Sequence, residues 1–194
     1  MNPQNGNALW RNEEGLLTEN YGEARRINAG SPEPLWTGGF NTELSWRGIS
    51  LGIQLEARYG NKVLNQDRSL FEADGSYGDS NIWKGAMNYW KKPGDTNVLP
   101  KPVYNNSSNS SAISTRYLED GSYLRIKDIT LAYSLPSKWT KKALMSGVRI
   151  YASALNLYTF HNMNYWDPEH GTSGATIISY PMTRSMIVGV DITF

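Results

Sequence analysis

Five stretches of alternating side chains, each roughly ten to twelve residues long, constrain this chain more than anything else in it. In the first, Trp36, Gly38, Phe40, Thr42, Leu44 and Trp46 share one face, and Thr37, Gly39, Asn41, Glu43 and Ser45 share the other. After Arg47-Gly48, Ile49, Leu51, Ile53, Leu55, Ala57 and Tyr59 repeat the apolar face against Ser50, Gly52, Gln54, Glu56 and Arg58. A period of two is the mark of a strand with one apolar face, and the two-residue break predicts a tight hairpin. Strand character returns over 122–135, where Leu124 and Ile126 point one way and Ile129, Leu131 and Tyr133 the other. That change of phase reads as a bulge or a change of surroundings. Pro136 ends this strand, and 137–145 reads as a short connector of one or two helical turns. A fourth strand covers 147–160, with Val148, Ile150, Ala152 and Ala154 on one face. The fifth carries Met186, Val188, Val190, Ile192 and Phe194 on one face.

These strands are about twice the length of an average globular strand and match the roughly 9–11 residues of a tilted transmembrane strand. The connections alternate too. The break at 47–48 and the connector at 136–146 are short, whereas 60–121 and 161–182 are long. Short turns on one side and long loops on the other are the habit of outer-membrane barrels. A mean hydropathy of −0.53 excludes a bundle of membrane helices but not a barrel, whose strands alternate. A net charge of +1 excludes a strongly basic nucleic-acid binder, so no nucleic-acid partner is expected. The absence of cysteine excludes a disulfide framework and a cysteine nucleophile. The opening Met1–Gly6 has neither a basic nor an apolar region and does not read as a signal peptide.

Five strands are too few to close a membrane barrel, which needs about eight. The expected fold is therefore all-β: antiparallel up-and-down strands forming the last five or so of a large transmembrane β-barrel. Residues 1–35 read as a polar loop segment, and 36–194 as the C-terminal part of the barrel. A soluble secreted β-domain that binds carbohydrate through loop aromatics is the alternative.

Several runs carry a family resemblance. The stretch from Ser114 through Tyr117-Leu118-Glu119-Asp120-Gly121-Ser122-Tyr123-Leu124-Arg125-Ile126-Lys127-Asp128-Ile129-Thr130-Leu131 to Pro136 resembles the C-terminal signature of SusC/RagA-type TonB-dependent outer-membrane transporters. Val148–Phe160, Trp166-Asp167-Pro168-Glu169 and Tyr180-Pro181-Met182-Thr183-Arg184 resemble the segments that follow it, and Arg58–Val63 and Tyr89–Asp95 also match. The resemblance spans 34–194. It implies a 22-stranded barrel with a plug, placed in the outer membrane of a member of the Bacteroidota. The implied partners are a SusD-like surface lipoprotein, a TonB complex reached through an N-terminal region absent here, outer-membrane lipid and the assembly machinery. The implied role is import of glycan oligomers or peptides, with no cofactor and no enzymatic step.

The chain is rich in rings with a polar handle, 12 Tyr and 7 Trp against 4 Phe. Such rings suit membrane interfaces and sugar-facing surfaces. Tyr77, Trp83, Tyr89, Trp90, Tyr104, Tyr165 and Trp166 fall in the long loops and are candidates for substrate or partner contact; packing of the loops is the plainer reading. Trp36, Trp46, Tyr59, Tyr133 and Phe194 read as membrane-interface girdle residues. Phe194, with Ile192 and Val190, resembles an assembly signal. His161 and His170 flank Asp167 and Glu169, but their spacing fits no metal motif, and a turn-forming Asp-Pro explains the acids better.

Overall fold

The computed structural model describes residues 1–72, 75, 81–105, 108–169, 174–176 and 180–194. Tyr77 and His170 lie outside the described residues. The chain divides into two compact units, one holding the long strands and one built from the non-alternating segments.

In the first unit, five antiparallel strands form one sheet in sequence order. They are β1 (Trp36–Trp46), β2 (Ile49–Tyr59), β3 (Tyr123–Ser134), β4 (Gly147–His161) and β5 (Ser185–Thr193). The up-and-down fold expected from the alternation is borne out. The β1–β2 register runs unbroken from Trp36 opposite Tyr59 to Trp46 opposite Ile49. Arg47 and Gly48 both have positive φ, 48° and 85°. That conformation gives a two-residue turn a twist matching that of the strands it joins. A Cβ on Gly48 would stand 2.8 Å from the Ser134 carbonyl oxygen. Gly48→Ala is expected to cost about 1–2 kcal/mol through the left-handed backbone alone, read as a lower denaturation midpoint of the full-length protein in lipid vesicles. An unchanged midpoint would mean that the turn relaxes.

The phase change in β3 is a bulge. Leu55 faces Ile126 and Gln54 faces Asp128, which leaves Lys127 as the extra residue. β4 is irregular at the same level, where Tyr158 faces Ile126 and Leu155 faces Asp128. Asn156 there adopts φ 51°, a left-handed conformation that Asn tolerates better than most residues. The connector after β3 is a four-residue helix, Ser137–Thr140, followed by a 3-10 turn, Lys141–Ala143.

The two faces of the sheet differ. On one, Phe40, Leu44, Leu131, Val188 and Val190 are each more than half exposed. Trp36 and Tyr59 are paired at one end of this face, and Trp46 and Tyr133 lie at the other. Ten residue steps separate Trp36 from Trp46, about 33 Å along the strand at about 3.3 Å per step.

The second unit brings Met1–Gly30 together with Leu64–Leu118 and the segment beginning at Ala175. No period runs through these residues because local polar bonds and a few rings hold them. Asn65 caps a short helix, Gln66–Phe71, its side chain accepting from Arg68 N–H at 3.0 Å. Tyr117 is fully buried and donates to the Ser110 carbonyl at 3.1 Å. Trp90 is buried and donates to the Pro3 carbonyl at 3.1 Å. Gly6 lies so close that a Cβ would sit 2.7 Å from that ring.

Near the N-terminus, Glu19 accepts from the side-chain amides of Asn2, Asn5 and Asn7 at 2.7–2.8 Å. The Asn7, Asn5 and Asn2 bonds, in that order of weight, hold its carboxyl below the usual glutamate range. A depressed folded pKa contributes order that is present above the unfolded value and lost as pH falls through the folded one. Amide exchange at residues 2–8 is therefore expected to be slow at pH 7 and to quicken, after correction for intrinsic rates, once the pH drops below the ordinary glutamate value. A correction that removes all pH dependence would discount the Glu19 contacts.

Candidate functional site: a charged cluster and groove on the polar face

Opposite the apolar face, the polar side chains of β2 and β3 come into register where the long connections leave the sheet. Glu56 faces Arg125, which faces Thr159, and Arg58 faces Tyr123, which faces His161. Arg125 is completely buried. It pairs with Asp167 and, at 2.8 Å, with Glu169. The Tyr123 ring lies 5.4 Å from its guanidinium. The bulge carries Lys127 onto this face, where its ammonium reaches Glu56 at 3.0 Å and Glu169 at 3.3 Å. The Tyr123 hydroxyl donates to Glu56 at 2.8 Å. Two cations and three carboxylates thus share one hydrogen-bonded network, in which each buried charge has an opposite partner. Burial of charge demands such pairing.

The loop after β4 is held by more than this cluster. Glu119 accepts from the Asn164 backbone N–H at 2.7 Å and from its side-chain amide at 3.2 Å. Asp167 also accepts from Glu169 N–H at 2.9 Å, and Pro168 between them is fully buried. The run therefore turns the chain, as its sequence suggests, but its carboxylates also fasten the loop to Arg125. Just before β3, Asp120 accepts from the Ser122 hydroxyl at 2.7 Å and its N–H at 3.1 Å. The Ser122 hydroxyl is the larger cause of a carboxyl pKa below the usual aspartate value. Further along the polar face, Asp128 accepts from Thr130 at 2.7 Å and from Ser153 at 2.8 Å.

Beside the cluster lies an open groove of about 440 Å³. Its lining comes from Arg125 of β3, from Asn156, Thr159 and His161 of β4, from Tyr165, Trp166 and Asp167 of the following loop, and from Pro181, Met182 and Arg184 ahead of β5. Tyr165 is exposed with φ 68°, and Trp166 is half-buried. Of the remaining loop rings, Tyr104 is well exposed, whereas Trp83 stacks on Phe71 with centroids 5.0 Å apart. Tyr89 is half-buried with the Lys91 ammonium 5.5 Å over its ring, and Trp90 is buried. The fold thus gathers Tyr165 and Trp166 at one groove and spends Trp83 and Trp90 on packing within their own unit. Sequence reasoning missed Arg125, Lys127 and Glu56. Their signal was opposite charge at facing polar positions of long strands, legible only once the strand order is known. Among the described residues no group of three or more acids or histidines could hold a metal ion.

A long-stranded antiparallel sheet with an exposed apolar face, aromatic ends and an ion-paired inner face is a stretch of outer-membrane β-barrel wall. Comparison with known proteins agrees. The chain is similar to TonB-dependent receptor P3 of Formosa agariphila, 30% identical over 88% of this chain and 17% of that receptor. TonB-dependent receptor P26 of the same organism is 27% identical over 85% of this chain and 17% of that receptor. The chain therefore spans about a sixth of the length of the curated relatives it matches. In fold it matches a chain of the RagAB peptide transporter with a TM-score of 0.84 and 28% identity, covering all of this chain and 22% of that one. A structure of the RagAB peptide importer in its open-open state gives the same TM-score over 99% of this chain. No family model matches. The expected likeness to the barrel of SusC/RagA-type TonB-dependent transporters is thereby shown in sequence and in fold, and with it the outer-membrane setting.

Proposed function

We propose that this chain forms part of the barrel wall of an outer-membrane transporter that imports glycan oligomers or peptides. Energy would come from a TonB complex, and a SusD-like surface lipoprotein would capture the oligomer. One observation carries the reading: a sheet with an exposed apolar face that superposes on a chain of a peptide transporter at 28% identity. Transport rather than catalysis accounts for the polar face, where the acids are tied to cations instead of converging on a reacting centre. Trp36, Tyr59, Trp46, Tyr133 and Phe194 would form the interface girdles, and Tyr104, Tyr165 and Trp166 are the rings best placed to meet an oligomer or the lipoprotein.

The test is the size and location of the native product. An antibody raised against residues 60–121 is expected to reveal a band several times heavier than 21.8 kDa in the outer-membrane fraction. Deleting the gene should abolish uptake of one class of oligomer. A soluble band near 21.8 kDa would overturn the reading.

A further inference from the structure

The groove on the polar face is built rather than incidental. One wall, Trp166-Asp167, is pinned by the completely buried Arg125. The stretch 181–184 is held where the Asn156 side-chain amide donates to the Thr183 carbonyl at 3.1 Å. Asn156 can reach it because the irregularity of β4 puts that residue in a left-handed conformation; bulges commonly re-aim side chains beside binding sites. Walls fixed before a ligand arrives lower the ordering cost of binding, and about 440 Å³ is within the range of small-ligand sites. The charges in it do not cancel. The charge of Arg125 is paired with Asp167 and Glu169, whereas Arg184, exposed immediately before β5, has no acidic partner among the described residues.

We infer that this groove is a subsite for a carboxylate-bearing residue of the imported oligomer, with the Arg184 guanidinium as its cation and the Trp166 ring as its apolar wall. A guanidinium presents two parallel donors that match a carboxylate. The inference rests on the transport reading and narrows its substrate to acidic oligomers.

The experiment uses the full-length protein in detergent, after outer-membrane location has been established separately. Calorimetric titration would compare the peptide Gly-Glu-Ala-Glu-Gly with its Gln isostere, and tetragalacturonate with neutral tetragalactose. At least one acidic probe is expected to bind about tenfold more tightly than its neutral partner, and which one does so identifies the source of the carboxylate. Arg184→Gln should reduce that preference to less than about threefold, while Arg47→Gln, at the far end of the sheet, should preserve it. Equal affinity for acidic and neutral probes, no binding of either pair, or a preference that survives Arg184→Gln would overturn the subsite. Any of these results with a correctly inserted protein that still imports neutral oligomers would leave the transport reading standing. A protein absent from the outer membrane would sink that reading first.

Discussion

Replacing Arg125 with Ala is expected to destabilise the barrel wall by about 3–5 kcal/mol, the usual consequence of removing one partner from a buried ion pair. The size follows from what would be stranded. Arg125 is wholly buried, and Asp167 and Glu169 are mostly shielded, so deletion leaves two carboxylates facing low dielectric with only Lys127 within reach of Glu169. The loss should be local before it is global. Residues 162–169 remain held at Asn164 by Glu119, but Trp166 to Glu169 lose their anchor. Two readouts check this in the full-length protein: the thermal midpoint in detergent, and protease cleavage between 162 and 169, which should appear only in the variant. Arg125→Lys should recover a minority of the loss, because one ammonium cannot engage two carboxylates with the geometry of a guanidinium. A stability change below about 1 kcal/mol, with no new cleavage, would show that the cluster is not what holds the loop.

The second large effect concerns the other face. Ile53 sits midway along β2, level with Thr42 and Ile129 on either side, and its side chain shares the apolar face. Arginine at such a midplane position costs about 2–4 kcal/mol when it faces lipid. Ile53→Arg is therefore expected to cut the yield of inserted, heat-modifiable protein several-fold. Gln54→Arg, one residue along on the exposed polar face, should insert at close to the wild-type level. Only the direction of the side chain differs, so the pair separates a lipid-facing wall from a soluble sheet. If both substitutions are tolerated, the apolar face is not in a membrane. If both fail, the polar face is packed more tightly than its exposure indicates.

The strands were legible because their physics is local. Alternation over eleven residues fixes which side chains share a face, and the positive-φ demand of the turn is met by Arg47-Gly48. Even the bulge left a trace, since the shift of apolar phase between Ile126 and Ile129 falls on Lys127. The non-alternating segments were opaque for the opposite reason. Their order comes from contacts between residues far apart in the chain, such as Trp90 with Pro3 and Trp10 with Ser108, and no periodicity announces those. Expecting an irregular run at 1–35, apart from the long loop at 60–121, missed that Met1–Gly30 and Leu64–Leu118 form one unit.

The cluster shows the same division at the scale of single residues. Arg125, Lys127, Asp167 and Glu169 are all visible in the sequence, and the run at 166–169 already reads as a turn. Nothing in their spacing says that a loop beginning after His161 folds back so that its carboxylates meet an arginine about forty residues earlier. By itself, then, the sequence determined the strands, their two faces, the hairpin and the alternation of short and long connections, because backbone geometry and side-chain period act over a few residues. Only the tertiary structure decided which polar groups meet, which aromatic rings are spent on packing, and that Arg184 borders a groove. Those outcomes depend on strand register and on desolvation, and both arise only when distant parts of the chain are brought together.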